Sequence, residues 1–552
     1  MKSRSDALKQ IEGRQFDVCI IGGGATGTGC ALDAQLRGLN TVLVESGDFA
    51  SATSSSSTKL VHGGVRYLQQ AVADLDAGQY RVVKRALHER KIALQNAPFL
   101  AHPLELLVPC YSQSEILYFQ IGMKLYDWIS GSGMLFPSRH LTVEESVRRM
   151  PMLNTEGLAG TVAYADGQFD DARYDITLLE TFNESGGQAV NYTRVTGFKK
   201  DSAGRLMEAQ VEDRQTQTTF TIKAKVFLNA TGPFSDSIRE MAHPGIEPRL
   251  RLSKGVHVLF PVDAIGSHDA LLIPKTDDGR VIFAIPWLGR LLVGTTDDEA
   301  HLGDEMVVLK SEVEYLVKHL NRYLVHPLSV DQMVSAFAGV RPLVRSKDAL
   351  NTKKLIRDHE VELDDASGLI SVLGGKWTTY RAMAEDAIDT VQQSMNTPVG
   401  GCQTADHQLQ GAAGWNPDYW ETLESRYRIS RNTAKHLSQK FGTNAVKVLD
   451  LIAEDPQFEN PIVEGQSPIQ AEIIYGIRNE MAMSIEDILA RRIGLQLYGW
   501  SIAVTAAPVV GAHLARELGW SPAQKQRAVE EYVNKIHHLM EVAGLVPEHA
   551  TA

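Results

Sequence analysis

A glycine-rich turn near the start of the chain could hold the phosphates of a dinucleotide. Its residues are Gly22, Gly23, Gly24, Ala25, Thr26 and Gly27. Gly22 permits the tight turn, and Gly24 lets the backbone approach a pyrophosphate that lies against a helix N-terminus. Gly27 lets that helix lie close to the sheet. Such a turn also occurs without a ligand, so its surroundings decide its meaning.

The surroundings of this turn are those of a dinucleotide site. The turn follows an apolar strand predicted at 17–21 and opens a helix predicted from about Ala25 to Arg37, with Gly38 as its C-terminal stop. Glu45 ends the next predicted strand and would accept hydrogen bonds from ribose hydroxyls. This order predicts the opening of a parallel, doubly wound sheet.

Two later turns favour FAD over NAD. An apolar strand leads into Thr231 and Gly232, a turn typical of flavoproteins with two dinucleotide-binding domains. The second turn contains Gly375, Lys376 and Thr378 and enters another helix. In such flavoproteins this late helix directs its positive end at the pyrimidine side of the isoalloxazine, where it stabilises negative charge. Together with the N-terminal motif, these turns predict an FAD site.

Composition places these turns in a large globular protein. The 552 residues exceed what one core holds, and hydrophobic residues make up 43% of them. A formal net charge of −12 disfavours nucleic acid as a partner and long-range attraction to anionic lipid. The 4 cysteines are scattered without a C-x-x-C pair, which favours a reducing compartment. No metal site is predicted.

The sequence offers no membrane-spanning segment and no secretory signal. The longest apolar-rich stretch, residues 116–129, is interrupted by polar and charged side chains. We expect it to form an amphipathic helix that packs on the core rather than on lipid. The first residues lack the apolar region of a secretory signal, and Asp6 and Glu12 are unlike a mitochondrial transit segment. We therefore expect a bacterial protein.

The predicted fold class is α/β with a helical C-terminal part. A Rossmann-like FAD-binding domain is expected over 16–390, interleaved with a β-sheet substrate (cap) domain whose strands lie at about 250–345. From 400 to 552 we predict an all-helical domain, because helix start signals recur there. Ser521, followed by Pro522 and Gln524, is one such signal. No catalytic constellation is evident in this domain.

Several segments resemble the FAD-dependent (respiratory, aerobic) glycerol-3-phosphate dehydrogenases. They follow the family's order and lie at 52–69, 166–175, 253–261, 293–297, 338–344 and 373–387. Segment 471–492 is similar to that family's C-terminal domain. The serine segment, with Ser57 and Thr58 before Lys59, departs from the simpler S-S-K expected there. The resemblance implies FAD contacts from Ser57, Lys59, His62, Gly63 and Gly64.

The resemblance also implies oxidation of sn-glycerol 3-phosphate to dihydroxyacetone phosphate. Binding the phosphate requires fixed cations, and the planar fork of arginine can bind two phosphate oxygens at once. The candidates are Arg66, Arg341 and Lys376, with Tyr67 as a hydroxyl donor. Each cation lies within two residues of glycine or proline in an otherwise apolar run, where a charge needs a partner. For any one of them an internal ion pair is the alternative.

As hydride leaves C2 of the alcohol for flavin N5, a base must take the hydroxyl proton. His257, on a predicted strand, is the first candidate, because an unperturbed histidine has a pKa near neutrality. The alternative is a core histidine with satisfied hydrogen bonds. His62 is the competing base or a flavin contact. Three further residues resemble family positions and are expected to order the flavin or the fold: Asp171, Arg173 and Asp297.

The route of the electrons out of the protein follows from the resemblance alone. It implies a membrane quinone as acceptor and a monotopic protein on the inner, cytoplasmic face of a bacterial membrane. The nearest alternative is an oxidase of the same substrate that passes electrons to oxygen and releases hydrogen peroxide. An amino-acid or amine oxidase and a flavin-carrying scaffold without turnover are the others. The sequence does not decide whether the protein forms a homodimer.

Overall fold

The computed structural model describes residues 4–64, 77–345, 359–396 and 400–546. The described strands are β1 (Gln15–Ile21), β2 (Thr41–Val44), β3 (Leu60–Val61), β4 (Ala101–Cys110), β5 (Arg139–Leu141), β6 (Gly160–Phe169), β7 (Gln188–Val190), β8 (Thr193–Lys200), β9 (Leu206–Asp213), β10 (Thr219–Asn229), β11 (Leu250–Pro261), β12 (Ala270–Ile273), β13 (Ile282–Trp287), β14 (Arg290–Gly294), β15 (Asp298–Ala300), β16 (Ser335–Val344), β17 (His359–Leu363) and β18 (Ile370–Gly374).

The helices cover the sheets and build the C-terminal part of the chain. They are α1 (Arg4–Ile11), α2 (Ala25–Leu36), α3 (Ala77–Asn96), α4 (Gln113–Ser130), α5 (Val143–Arg149), α6 (Asp171–Glu184), α7 (Ser235–Ala242), α8 (Lys310–Leu320), α9 (Tyr380–Met395), α10 (Tyr419–Tyr427), α11 (Arg431–Phe441), α12 (Ala445–Leu449), α13 (Gln470–Glu480), a π-helix (Asp487–Arg492), α14 (Leu495–Tyr498), α15 (Trp500–Leu518) and α16 (Pro522–Val542).

Two sheets interleave along the chain, as predicted. The first has the order β17-β18-β10-β1-β2-β7, and β1 pairs in parallel with both β2 and β10. The second has the order β15-β11-β14-β13-β12-β4-β6-β3 and is mostly antiparallel, with β16 on β11. The Rossmann-like α/β architecture is therefore confirmed. Because parallel strands end at the same edge, the turns after β1 and β10 lie side by side.

Local sequence explains the first βαβ unit. Gly22 has a φ of +110°, and a Cβ there would lie 2.6 Å from the carbonyl oxygen of Ala230. A Cβ on Gly27 would lie 1.8 Å from the Gly22 carbonyl oxygen, so residue 27 must be glycine for α2 to follow this turn so closely. Gly38, just past α2, has a φ of +91°. The predicted β1, α2 and β2 are confirmed, with ends shifted by one or two residues.

The C-terminal helices pack directly on the second sheet. Buried residues of β11 and β14 share one core with α13, the π-helix and α15, and Trp500 is almost fully buried in it. The helical character predicted after residue 400 is confirmed. The position of the domain boundaries stays a prediction, since these helices and the sheet have a common core.

Helix α4 contains the amphipathic helix expected at 116–129. One face of α4 packs on the second sheet, in a core separate from the one shared with the C-terminal helices. Ile116, Met123 and Tyr126 are among its buried residues. On the opposite face Ile121 is 62% exposed and Trp128 is 71% exposed. The predicted amphipathic helix with one face on the core is confirmed, and whether its outer face contacts lipid stays untested. No helix among the described residues is long and apolar enough to cross a bilayer.

Candidate active site

A cavity of about 1380 Å³ is lined by residues of both sheets. From the predicted cofactor set it contains Gly22, Gly24, Ala25, Thr26, Glu45, Ser57, Gly64, Thr231, Gly232, Gly375 and Thr378. From the predicted substrate set it contains His62, His257, Arg341 and Lys376. Arg66 and Tyr67 lie outside the described residues. Segments more than 300 residues apart in sequence therefore meet at one site.

At one end of the cavity, backbone groups form a cradle for a dinucleotide. The Glu45 carboxylate accepts hydrogen bonds from the N–H groups of Gly23 and Gly47, each at 2.7 Å, and so joins the turn after β1 to the turn after β2. A Cβ on Gly24 would lie 2.5 Å from the Ser54 hydroxyl, in the space where a pyrophosphate would lie against α2. The residues present fit FAD.

The late glycine turn lies against the segment that carries His62. Gly374 and Gly375 have φ values of +72° and +85°, which bring the backbone into the cavity wall before α9 begins. The Thr378 hydroxyl accepts from the His62 N–H at 3.2 Å. The Trp377 indole donates to the Ser54 carbonyl at 2.9 Å. The two glycine turns are thereby held at fixed positions on one cavity.

His257 lies on β11 and is almost fully buried. Its Nε2 is 2.9 Å from the hydroxyl of Thr58, and its ring stacks on Phe337 with centroids 4.9 Å apart. Burial lowers the pKa of His257 well below its usual value, and the nearby charges of Arg341 and Lys59 act in the same direction. The imidazole is therefore neutral at physiological pH and able to accept a proton.

Arg341 lies on β16 at the cavity wall. Its Nη2 donates to the Thr295 hydroxyl at 2.9 Å and its Nη1 donates to the Thr296 carbonyl at 3.2 Å, while the Asp297 carboxylate is 3.5 Å away. A Cβ on Gly255 of the neighbouring β11 would lie 2.3 Å from Nη2. Gly255 thus leaves the space in which the guanidinium reaches the cavity.

His62 and Gly63 are supported from behind by a buried polar network. The Gly63 N–H donates to the Tyr126 hydroxyl at 2.8 Å, and that hydroxyl donates to Asp166 at 2.7 Å. Arg90 pairs with Asp166 at 2.6 Å. Burial lowers the pKa of His62, and the charges of Lys376 and Arg90 also lower it while Asp166 opposes them. His62 is therefore a second neutral imidazole on the cavity.

Three residues of the predicted cofactor set do not line the cavity: Gly27, Lys59 and Gly63. The Lys59 ammonium forms a buried ion pair with Asp171 and donates to the Ser55 carbonyl at 2.9 Å, so its side chain does not line the cavity. The cofactor contact expected of Lys59 stays a prediction. Gly63 turns its N–H toward Tyr126 instead of toward the cavity. Asp171 also accepts from the Ser57 N–H at 2.9 Å, which orders the serine segment.

Several cavity residues were not predicted. Thr58 contacts His257, and Thr295 contacts Arg341. Both lie in segments that carry the family resemblance, at 52–69 and 293–297, but no role was predicted for either. Lys275 and Arg280 line the cavity from the turn between β12 and β13. A signal for these two existed, because two cations flank a turn between apolar strands. Among the described residues, no cluster of three or more His, Cys, Asp or Glu side chains could hold a metal ion.

The fold and the site define an FAD-dependent oxidoreductase. Residues 17–385 match the family described as FAD dependent oxidoreductase, and residues 402–525 match the C-terminal domain of alpha-glycerophosphate oxidase. The chain belongs to the family of FAD-dependent glycerol-3-phosphate dehydrogenases.

The similarity to individual family members extends over almost the whole chain. A probable mitochondrial glycerol-3-phosphate dehydrogenase of Caenorhabditis elegans is 40% identical over 540 residues, which cover 96% of this chain and 74% of that protein. A mitochondrial relative in Arabidopsis thaliana is 38% identical over 94% of this chain and 85% of its own length. The glycerol-3-phosphate dehydrogenase of Bacillus halodurans, solved with FAD, superposes with a TM-score of 0.79 at 30% identity, covering 97% of both chains.

Gly24→Val is expected to yield folded protein without FAD, because the larger side chain would fill the space in which the pyrophosphate lies against α2. The ratio of flavin to protein absorbance after purification measures the loss. Gly401→Val is a matched control, since nothing lies within 4 Å of a Cβ at Gly401. Flavin retained in folded Gly24→Val protein would contradict the pyrophosphate assignment.

Proposed function

We propose that this protein oxidises sn-glycerol 3-phosphate to dihydroxyacetone phosphate. The observation that carries the proposal is the convergence of a neutral histidine and two cationic side chains on the FAD cavity. His257, Arg341 and Lys376 all line it. The relatives named above act on the same substrate by name, and 96% of this chain aligns with one of them. FAD bound in this cavity would supply the acceptor for the hydride that leaves C2.

In the proposed mechanism, the protein binds the phosphate and accepts one proton. Arg341 and Lys376 bind the phosphate oxygens, and the hydrogen bonds from Arg341 to Thr295 and Thr296 keep its guanidinium in place. Nε2 of His257, beside the Thr58 hydroxyl, takes the proton of the C2 hydroxyl. The buried position of His257 excludes water that would compete for this proton.

An anaerobic titration tests this function directly. The purified yellow holoenzyme is mixed with glycerol 3-phosphate, and the flavin absorbance is followed near its visible maximum. Rapid bleaching that plain glycerol does not cause is the expected result, because glycerol lacks the group that Arg341 and Lys376 bind. A flavin that stays oxidised would refute the substrate assignment, and amine and amino-acid substrates would then be tested.

The proposed electron acceptor is a membrane quinone. The outer face of α4 supports contact with a bilayer, because its large apolar side chains are exposed without cover: Leu117, Tyr118, Ile121 and Trp128. Met134 and Phe136, just past α4, extend this apolar face with 47% and 46% exposure. Tyr118 also lines the cavity, so the same helix contacts both the cavity and the surface.

The second candidate is an oxidase that transfers the electrons to oxygen. The match of residues 402–525 to the C-terminal domain of alpha-glycerophosphate oxidase favours keeping it. Oxygen uptake separates the two functions. A quinone-linked enzyme needs added quinone for steady turnover, whereas an oxidase consumes oxygen and releases hydrogen peroxide without it.

The proposed location is the inner, cytoplasmic face of a bacterial membrane.

Replacing Ile121 and Trp128 together by serine is expected to weaken binding to phosphatidylethanolamine–phosphatidylglycerol vesicles by roughly 10²–10⁴-fold. Each buried apolar side chain contributes about 1.5–3 kcal/mol, and two of them sum to about 3–6 kcal/mol. Vesicle co-sedimentation measures the change, and anaerobic flavin reduction should stay the same. Met207→Ser is the matched control, since Met207 is 52% exposed on β9, away from α4. Unchanged sedimentation of the double variant would eliminate α4 as the membrane contact.

A further inference from the structure

The turn that follows β2 carries two carboxylates with different surroundings. Glu45 and Gly47 line the cavity at the end where the ribose of a dinucleotide is expected. Asp48, next along the chain, is 4% exposed and does not line the cavity. The turn therefore has one side toward the cofactor and one side toward the protein interior.

The interior side of this turn is bound by the C-terminal helical part of the chain. Asp48 accepts two hydrogen bonds from Arg492, whose Nη1 and Nη2 are 2.8 Å and 2.7 Å from its two oxygens. Arg491 Nε donates to the same carboxylate at 2.6 Å. Both arginines lie on the π-helix Asp487–Arg492, more than 440 residues further along the chain. A geometry with two parallel N–H···O bonds holds a carboxylate in one orientation.

The carboxylate of Asp48 is linked to the cofactor end of the cavity by one residue of backbone. The Gly47 N–H donates to Glu45 at 2.7 Å, and the Gly47 carbonyl accepts from the Tyr192 N–H at 2.7 Å. Glu45 in turn accepts from the Gly23 N–H of the dinucleotide turn at 2.7 Å. Movement of Asp48 would therefore move both turns that hold the adenosine half of FAD.

A second buried ion-pair network joins the same two parts of the chain away from the cavity. It meets the first network at Glu480, whose carboxylate is 3.6 Å from Nε of Arg492. Arg173 of α6 pairs with Glu480 of α13 and with Glu180, which also accepts from the Tyr475 hydroxyl at 2.8 Å. None of these four residues lines the cavity. Burying charges is costly, so attaching the helices would not by itself require a second set of them. The position of Asp48 next to the Glu45 turn suggests a purpose beyond attachment.

We propose that the C-terminal helical part clamps the adenosine half of FAD through Asp48, with Arg491 and Arg492 as cofactor-positioning residues. The arginines fix Asp48, and Asp48 fixes the Glu45–Gly47 turn in the conformation that receives the ribose. The helical part thereby sets how long the holoenzyme retains FAD. This inference rests on FAD as the cofactor and not on the identity of the substrate.

The release of FAD from the holoenzyme tests the clamp. Asp48→Asn keeps the shape of the side chain and removes its charge. The rate at which diluted holoenzyme releases fluorescent FAD should rise about 10- to 100-fold, as expected when charge-assisted hydrogen bonds are weakened. Glu180→Gln is the matched control, because it is the same change at the buried pair away from the cavity. It should lower the melting temperature and leave FAD release within about threefold of wild type.

Two outcomes would overturn the clamp. One is equal FAD release from Asp48→Asn, Glu180→Gln and wild type at a temperature where all are folded. The other is that Asp48→Asn, saturated with added FAD, loses flavin reduction by substrate as strongly as it loses FAD, which would place Asp48 in the chemistry.

If Asp48→Asn does not fold, Arg491→Lys replaces it, since the two hydrogen bonds from Arg492 then remain. Its FAD release should exceed that of Glu180→Gln. A wild-type holoenzyme that is not bleached by glycerol 3-phosphate refutes the proposed substrate but leaves the release experiment valid.

Discussion

Replacing His257 by alanine is expected to lower the rate of flavin reduction by glycerol 3-phosphate by about 10²–10⁴, the usual contribution of a general base. His257 is neutral, lies on the cavity and contacts the Thr58 hydroxyl through Nε2. Because FAD is held by other segments, the flavin content of the variant should stay at the level of wild type. Stopped-flow absorbance under anaerobic conditions and saturating substrate isolates this step from substrate binding.

His319→Ala provides the control for the loss of a buried imidazole. His319 is 1% exposed on α8 and interacts with the Tyr315 carbonyl at 2.8 Å, outside the cavity. Its replacement should lower the melting temperature without slowing flavin reduction. A rate within a few-fold of wild type for His257→Ala would move the base to His62, and His62→Ala should then show the large decrease.

The pH dependence of flavin reduction gives an independent check on the base. A base must be neutral to accept a proton. The lowered pKa keeps His257 neutral down to pH values well below the usual pKa of a histidine. The rate is therefore expected to stay constant as the pH falls from about 8 to about 6.5, where a histidine with an unperturbed pKa of about 6.5 would already be half protonated. A rate that halves near pH 6.5 would contradict a buried His257 as the base.

The sequence was most informative where a local backbone requirement fixes the residue type. Gly22, Gly24 and Gly27 could be assigned because each position requires the absence of a Cβ, and the structure has backbone or side-chain atoms within 2.6 Å of each ideal Cβ. The order of strands and helices was predictable for the same reason, since apolar periods and turn residues are local properties. These features account for the predicted α/β fold and for most of the cofactor end of the cavity.

The sequence was less informative where a side chain's partner lies far along the chain. The buried ion pair of Lys59 with Asp171, over 100 residues away, could not be predicted from the sequence. Asp48 carries no motif, and its importance becomes visible only when Arg492 folds back onto it. Which apolar side chains of α4 face solvent could not be predicted, because an apolar side chain has the same identity whether protein or solvent faces it. Tertiary contacts decide these cases, and local patterns do not encode them.

Arg341→Ala is expected to lower kcat/KM for glycerol 3-phosphate by about 10²–10³, mostly through a higher KM, because each hydrogen bond to a charged group contributes about 1.5–3 kcal/mol. FAD content should change little, since Arg341 approaches the cavity from β16, the strand that pairs with β11 in the second sheet. Arg341→Lys should recover part of the loss, because it restores the charge without the planar fork. Gly255→Ala tests the same role while Arg341 itself is kept. Its methyl group would lie 2.3 Å from Nη2 of Arg341 and would displace the guanidinium. Both Arg341→Ala and Gly255→Ala should therefore raise KM for the phosphorylated substrate while residual turnover of plain glycerol stays unchanged. An unchanged KM in Arg341→Ala would assign the phosphate to other cations of the cavity, with Lys376 first among them.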